Sequence, residues 1–162
     1  MINPGRFTAA RDEDTVVFLI GMRINSLTRP DKWLPPMRAM TRMIGELYAR
    51  PELGLLHHEM WFSRNLIFVQ YWRSMDHLMA YAKSNSAAHL PAWKAFNQAT
   101  KDNVHVGIWH ETYTAKPGTY ENIYVNMPAF GMGKAGMLGP ISGQKNSARG
   151  RLSAIISETA AS

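Results

Sequence analysis

The sequence predicts an α+β fold, a ferredoxin-like βαββαβ unit with a four-stranded antiparallel sheet. Three observations carry this. Four apolar runs rich in β-branched and aromatic residues recur along residues 15–113. Segments with helical spacing of apolar residues separate the first run from the second and the third from the fourth. The second and third runs are joined by only Ser63, Arg64 and Asn65, a tight polar turn that makes them a hairpin. Two strand–helix–strand units around a central hairpin are the split βαβ arrangement.

Residues 15–24, TVVFLIGMRI, read as the first strand, with Arg23 its one charge. Residues 25–36 read as a loop, with Pro30, Pro35 and Pro36 as breakers. Met37, Met40, Ile44, Leu47 and Tyr48 then mark an amphipathic helix to about Ala49, which Pro51 ends. Residues 54–62, GLLHHEMWF, and 66–72, LIFVQYW, form the hairpin. Ser74 opens a second helix with Asp76 in its first turn. Residues 84–88 interrupt that helix. Pro91 suits the first turn of another helical piece, in which Trp93, Phe96 and Thr100 share a face. Residues 104–113, VHVGIWHETY, close the sheet. Residues 1–14 thus form an N-terminal arm, 15–115 the ferredoxin-like domain, 116–137 a wrapping arm, and 138–162 a small, polar, poorly ordered tail.

Both faces of the strands are largely apolar. Val17, Leu19 and Gly21 oppose Val16, Phe18, Ile20 and Met22. Helices cover only one face, so the other calls for a partner sheet, which predicts a homodimer packed sheet to sheet.

A chain of 162 residues buries a real core without disulfides, and it has no cysteine. That excludes a thiolate nucleophile, a disulfide framework and any Cys-based metal site. The net charge is +6, but the basic residues are scattered and no Lys/Arg stripe is interleaved with aromatics, which argues against nucleic acid as a partner. No apolar run approaches the ~18 residues that span a bilayer. The opening MINPGRFTAARDED lacks the apolar stretch of a secretory leader. The expectation is a cytoplasmic protein with no membrane span.

Residues 72–113 concentrate chemistry: His77, His89 and His110, and Trp72, Trp93 and Trp109. His57 and His58 are adjacent on the second strand, so alternation sends them to opposite faces and keeps them out of one site. His58 shares its side with Leu56, Met60 and Phe62, and His57 with Glu59 and Trp61. His110 lies with Ile108 and Thr112, while Trp109, Glu111 and Tyr113 face away from it. His110 and His58 are candidate bases. His89 precedes Trp93 by four residues and Phe96 by seven. On a helix the three share a face, where His89 offers an axial ligand to a haem iron; just outside the helix it caps or hydrogen-bonds locally. Eleven methionines fill core or line an adaptable lipophilic pocket. There is no HExxH, no GxSxG elbow and no GxGxxG after a strand. GMGKAG at 131–136 lacks the spacing of a phosphate loop.

The strings VVFLIGMRIN, GLLHHEMWF, VQYWRSMDHLMAYA, HLPAWKAFN, VGIWHETY and YENIYVNMPAFGMG resemble a small monooxygenase-like family that includes a tailoring enzyme of fumagillin biosynthesis. The resemblance runs over roughly residues 15–133. It implies a dimeric α+β barrel. That superfamily also holds cofactor-free quinone-forming monooxygenases, haem-degrading oxygenases, haem peroxidases and aldoxime dehydratases, so the fold alone leaves the chemistry open. The resemblance places the pocket between sheet and helices, and the His89 segment resembles the region that carries the haem ligand in haem-binding relatives.

The leading expectation is an oxygenase for a lipophilic or aromatic small molecule that needs no nucleotide cofactor. His110 or His58 is its base. Gln70 and Arg23 meet developing negative charge, and Tyr71, Trp72, Trp93 and Phe96 bind the substrate. The alternatives are a haem b enzyme, oxygenase or dehydratase, with His89 as axial ligand, and a non-catalytic small-molecule binder.

Overall fold

A computed structural model describes residues 1–84, 91, 94, 96, 97 and 104–159. His89 and Trp93 lie outside the described residues. The elements are β1 (Asn3–Ala10), β2 (Thr15–Ile24), α1 (Pro30–Ala49), β3 (Leu55–Phe62), β4 (Asn65–Trp72), α2 (Met75–Lys83), β5 (Val106–Ala115), β6 (Tyr124–Met127), α3 (Met132–Ala135), β7 (Met137–Pro140) and α4 (Ala148–Thr159). Residues 91, 94, 96 and 97, between α2 and β5, are helical.

The main sheet has the order β3-β4-β2-β5 and is antiparallel throughout. With α1 between β2 and β3, and α2 after β4, this is the ferredoxin-like arrangement. Register defines two cross-sheet rows on one face. His58, Gln70, Phe18 and Thr112 form one, and Met60, Phe68, Ile20 and His110 the next. This face meets α1 and α2 and holds the main core: Val16, Met22, Ile24, Leu66, Phe68 and Trp72 from the sheet, with Met40, Ile44 and Leu47 from α1 and Leu78 and Tyr81 from α2.

The opposite face carries Val17, Leu19, Arg23, Val69, Tyr71, Glu111 and Tyr113 in register. It also admits a cross-strand stack. Gly21 pairs with Trp109, whose indole lies so close over the glycine that a Cβ there would run into the ring. The glycine in an otherwise bulky strand is therefore a seat for Trp109.

Helix α1 corrects the expected loop at 25–36. It starts at Pro30, seven residues before the expected start, and contains Pro35 and Pro36. Pro30 sits in the first turn, where its missing N–H costs nothing. Pro35 is exposed and Pro36 half-buried, and the helix continues through both. At α2 the cap is as expected: Ser74 Oγ accepts from the His77 backbone N–H and bonds His77 Nδ1 at 2.7 Å. The His77 ring also lies 2.5 Å from where a Cβ of Gly54 would be, at a φ of +92° that itself favours glycine. His77 is a capping residue.

A second sheet, β6-β1-β7, joins residues 3–10 to the segment after β5. The Asn122 side chain extends its ladder, accepting from Ala9 N–H at 2.7 Å and donating to Ala9 C=O at 2.9 Å. Ala9, Met132 and Ala135 are buried there against Leu56, Tyr71, Tyr120, Tyr124 and Leu138. Beyond it, Arg151 is 6% exposed and pairs with Glu121 at 2.7 Å, tying α4 down. Among the described residues no helix is long and apolar enough to cross a membrane.

Candidate functional site

Between the sheet and the two helices lies an apolar, partly open cleft. Its empty space is about 450 Å³ with the open mouth included. The sheet contributes Phe18, Ile20, Phe68, Gln70 and Trp72, helix α1 contributes Met40, Met43 and Leu47, and α2 contributes Leu78, Tyr81 and Ala82. The strands place their residues there by alternation. Leu66, Phe68, Gln70 and Trp72 are all buried, and the residues between them are half-buried.

Two polar side chains enter this apolar wall. Gln70 is 7% exposed, and its Oε1 accepts from the Trp72 indole Nε1–H at 2.9 Å. That bond fixes the amide orientation and leaves the NH2 open to the cleft, with no partner among the described residues. A ligand or water in the cleft can therefore meet this donor. Tyr81 stacks on Trp72 with ring centroids 5.7 Å apart and donates to Glu46 Oε2 at 2.9 Å. Burial, and then the Glu46 carboxylate, hold its phenol proton on far above neutral pH. Tyr81 is thus a wall, not a proton donor to a ligand.

His58 stands at the β3 rim of the cleft. It opposes Gln70 across the β3–β4 ladder, a pairing that puts Cβ atoms roughly 5 Å apart. Its ring is 5.8 Å from that of Phe68, a cleft residue, and 5.3 Å from that of Tyr48 at the end of α1. Its Nδ1 is 2.8 Å from the Tyr48 hydroxyl. Burial pushes the imidazole pKa below its ordinary value, which favours the neutral ring.

The expectation that His57 and His58 stay out of one site is corrected. His57 Nδ1 also reaches the Tyr48 hydroxyl, at 3.4 Å, and the two imidazole centroids are 6.0 Å apart. Strand β3 is an edge strand with an irregularity between Leu55 and His57. Around an edge, side chains from both faces meet a group on the rim. The same irregularity sends Leu56 to the second cluster, away from the side it was expected to share with His58. On its far side His57 Nε2 lies 2.9 Å from Glu59 Oε1. That oxygen also accepts from Gly131 N–H at 3.0 Å and faces Lys134 Nζ at 3.8 Å. Burial pushes the Glu59 pKa up, but Gly131, His57 and Lys134 together bring it below the usual carboxylate value.

The remaining sequence candidates divide by face. Trp72 and Gln70 line the cleft, and Phe96 packs against the same core. His110 is on the cleft side of the sheet but at the opposite edge, exposed, with Phe18 as its ring neighbour at 5.6 Å. Arg23 and Tyr71 are on the other face. Arg23 is exposed beside Asn65 at 3.4 Å, and Tyr71 packs under Gly131. They do not join Gln70. Sequence reading overlooked Tyr48, read only as a helix-face apolar residue, and Glu59 with Gly131, which are 72 positions apart. Among the described residues no group of three or more His, Asp or Glu is placed to hold a metal ion.

A family model described as Monooxygenase af470-like matches residues 15–132. The chain belongs to the Monooxygenase af470-like family. The matched span of this af470-like protein includes Tyr48, His57, His58, Glu59, Gln70, Trp72 and Gly131. Over 86 residues the chain is 34% identical to Monooxygenase af470 of Aspergillus fumigatus, an alignment covering 49% of this chain and 30% of that protein. The chain thus matches less than a third of that relative's length. Among solved structures, an aldoxime dehydratase (OxdRE) in complex with butyraldoxime superposes with a TM-score of 0.64 at 15% identity, over 76% of this chain and 37% of that one. This likeness shows a shared fold. SnoaB, a cofactor-independent oxygenase from Streptomyces nogalater, superposes more loosely, with a TM-score of 0.45 at 15% identity over 64% of this chain and 94% of that one.

Proposed function

We propose that this af470-like protein is an oxygenase that binds a lipophilic small molecule in the sheet–helix cleft and oxidises it with O2 without a nucleotide cofactor. The observation that carries this is the Gln70 amide, nine-tenths buried in an apolar wall with its NH2 open to the cleft. A carbonyl or phenol oxygen seated there receives a hydrogen bond that strengthens as negative charge develops on it. His58, neutral and one strand away, takes the proton from the activated carbon or hydroxyl. The resulting electron-rich carbon reacts with O2. A CH2 between conjugating groups becomes a ketone, and the second oxygen atom leaves as water. All four electrons that reduce O2 come from the substrate, so this stoichiometry needs no nicotinamide or flavin. Trp72, Phe68 and Leu47 keep the site dry, which strengthens the Gln70 contact.

The haem reading rests on His89, which lies outside the described residues. The open face of the sheet, with Leu19, Val69, Trp109 and Tyr113, supports pairing with a second copy as a homodimer. Light scattering then returns twice the 18.3 kDa chain mass.

The deciding experiment is O2 consumption by the purified protein with anthrone-like and polyphenolic substrates. The expected result is turnover that Gln70→Leu lowers about a hundredfold. Substrate binding with no O2 uptake across the panel would leave the protein as a small-molecule binder. A Soret band in the purified protein would replace the cofactor-free reading with a haem enzyme.

A further inference from the structure

Four groups at the β3 edge are linked in series. Glu59 bonds His57 through Nε2, His57 bonds Tyr48 through Nδ1, and Tyr48 bonds His58 through Nδ1, at 2.9, 3.4 and 2.8 Å. The first link sets the direction of the rest. The Glu59 carboxylate is only an acceptor when ionised, and Oε1 is already turned to the Gly131 N–H. His57 Nε2 must therefore carry the proton. Neutral His57 then has a bare lone pair on Nδ1, which calls for a donor. The group within reach is the Tyr48 O–H. Once Tyr48 donates to His57, its oxygen accepts, and two donors on His58 are turned to it: the backbone N–H at 3.3 Å and Nδ1 at 2.8 Å. The reverse polarity, with Tyr48 donating to His58, leaves His57 Nδ1 without a donor.

We propose that Glu59, His57 and Tyr48 are positioning residues that hold His58 in its Nδ1–H tautomer and leave its Nε2 as the bare lone pair. This rests on the reading of His58 as the base, and it supplies what that reading needs. The relay crosses the sheet edge, so a carboxylate on one face sets the proton position of an imidazole on the other. It also assigns a role to the segment after β5. Gly131 and Lys134 keep Glu59 ionised, and an ionised Glu59 keeps the relay in one direction.

The test is the tautomer itself, read from 15N shifts and two-bond couplings of the histidine rings in the unliganded protein at pH 8. The His58 signals are assigned by loss in His58→Gln. The expected result is an Nδ1–H His58 in the wild type and a shift to the Nε2–H form in Tyr48→Phe, with thermal melting confirming that the variant folds. Glu59→Leu is the second variant. It removes the oxygen that accepts from both Gly131 N–H and His57 Nε2, so nothing then holds the His57 proton on Nε2, and it is expected to move His58 the same way without removing the hydroxyl. An Nε2–H His58 in the wild type, or an unchanged His58 in both variants, overturns the relay. Neither readout needs a substrate. If His58→Gln retains full O2 uptake while the tautomer is as expected, it is the base assignment that fails.

Discussion

His58 and His110 stand on one face of one sheet, at opposite edges. His58 is half-buried, bonded to Tyr48, and backed through His57 and Glu59 by a loop from elsewhere in the chain. His110 is exposed on β5 with one aromatic neighbour and no hydrogen bond among the described residues. Alternation along a strand decides which face a side chain takes, and both histidines obey it. What distinguishes them is the surroundings of the edge. The end of α1 and the start of α3 reach β3, and nothing comparable among the described residues reaches the outer half of β5. An orienting network is what the proposed base His58 has and His110, of the same type and face, lacks among the described residues.

The largest effect expected from breaking this contrast is on stability. Trp72 is 1% exposed and forms the floor of the cleft next to the buttressed edge. Trp72→Ala should cost about 3–5 kcal/mol in urea unfolding, whereas His110→Ala should leave the midpoint where it was. Next comes activity. His58→Gln should lower kcat about a hundredfold, the scale of a lost general base, with KM little changed. His110→Gln should stay within about threefold. Equal losses in the two variants would erase the contrast. Third, Gly21→Ala should destabilise by about 1–3 kcal/mol through overpacking against Trp109, and pairing it with Trp109→Ala should recover most of that.

The smallest effect is in pH dependence. Burial lowers the His58 pKa, so the unfolded chain takes up its proton at a higher pH than the folded one. The stability this represents is complete above the unfolded value, about 6.5, and is lost as pH falls through it toward the folded value. The melting temperature should therefore fall between pH 7.5 and 5, and His58→Gln should flatten that fall. A slope that survives in the variant would place the proton uptake elsewhere.

Much of the main sheet is readable from sequence because its signals are local. Residues 15–24 are a strand at the boundaries that their β-branched run implies, and Ser74 caps α2 as its hydroxyl and the following Asp suggest. Two features resisted. Pro30, Pro35 and Pro36 read as breakers, whereas Pro30 takes a first-turn position and α1 continues through exposed Pro35 and half-buried Pro36. Strand β1, NPGRFTAA, has no apolar alternation and contains a proline and a glycine. It is a strand because β6 and β7 flank it, a long-range fact that local pattern cannot show. The site divides the same way. Gln70 and Trp72 follow from alternation in β4. The Tyr48–His57–His58 meeting depends on an irregular edge strand, and the Glu59–Gly131 bond on a contact across 72 positions.

The small sheet has a consequence for the order of events as the chain folds. Residues 3–10 pair with residues 124–140, and the Gly5 N–H to Asn126 bond alone closes a loop of 121 positions. Contacts of that sequence separation form late, because the chain between must be ordered or the closure entropy met first. Gly131 lies on the stretch between β6 and β7. The main sheet and its cleft can therefore assemble before Glu59 receives its backbone partner, and amide exchange should open β1 and β7 before β2 and β4. The histidine that the edge network orients is then among the last features of the fold to mature, and the first to lose its orientation when the clasp of β1 lets go.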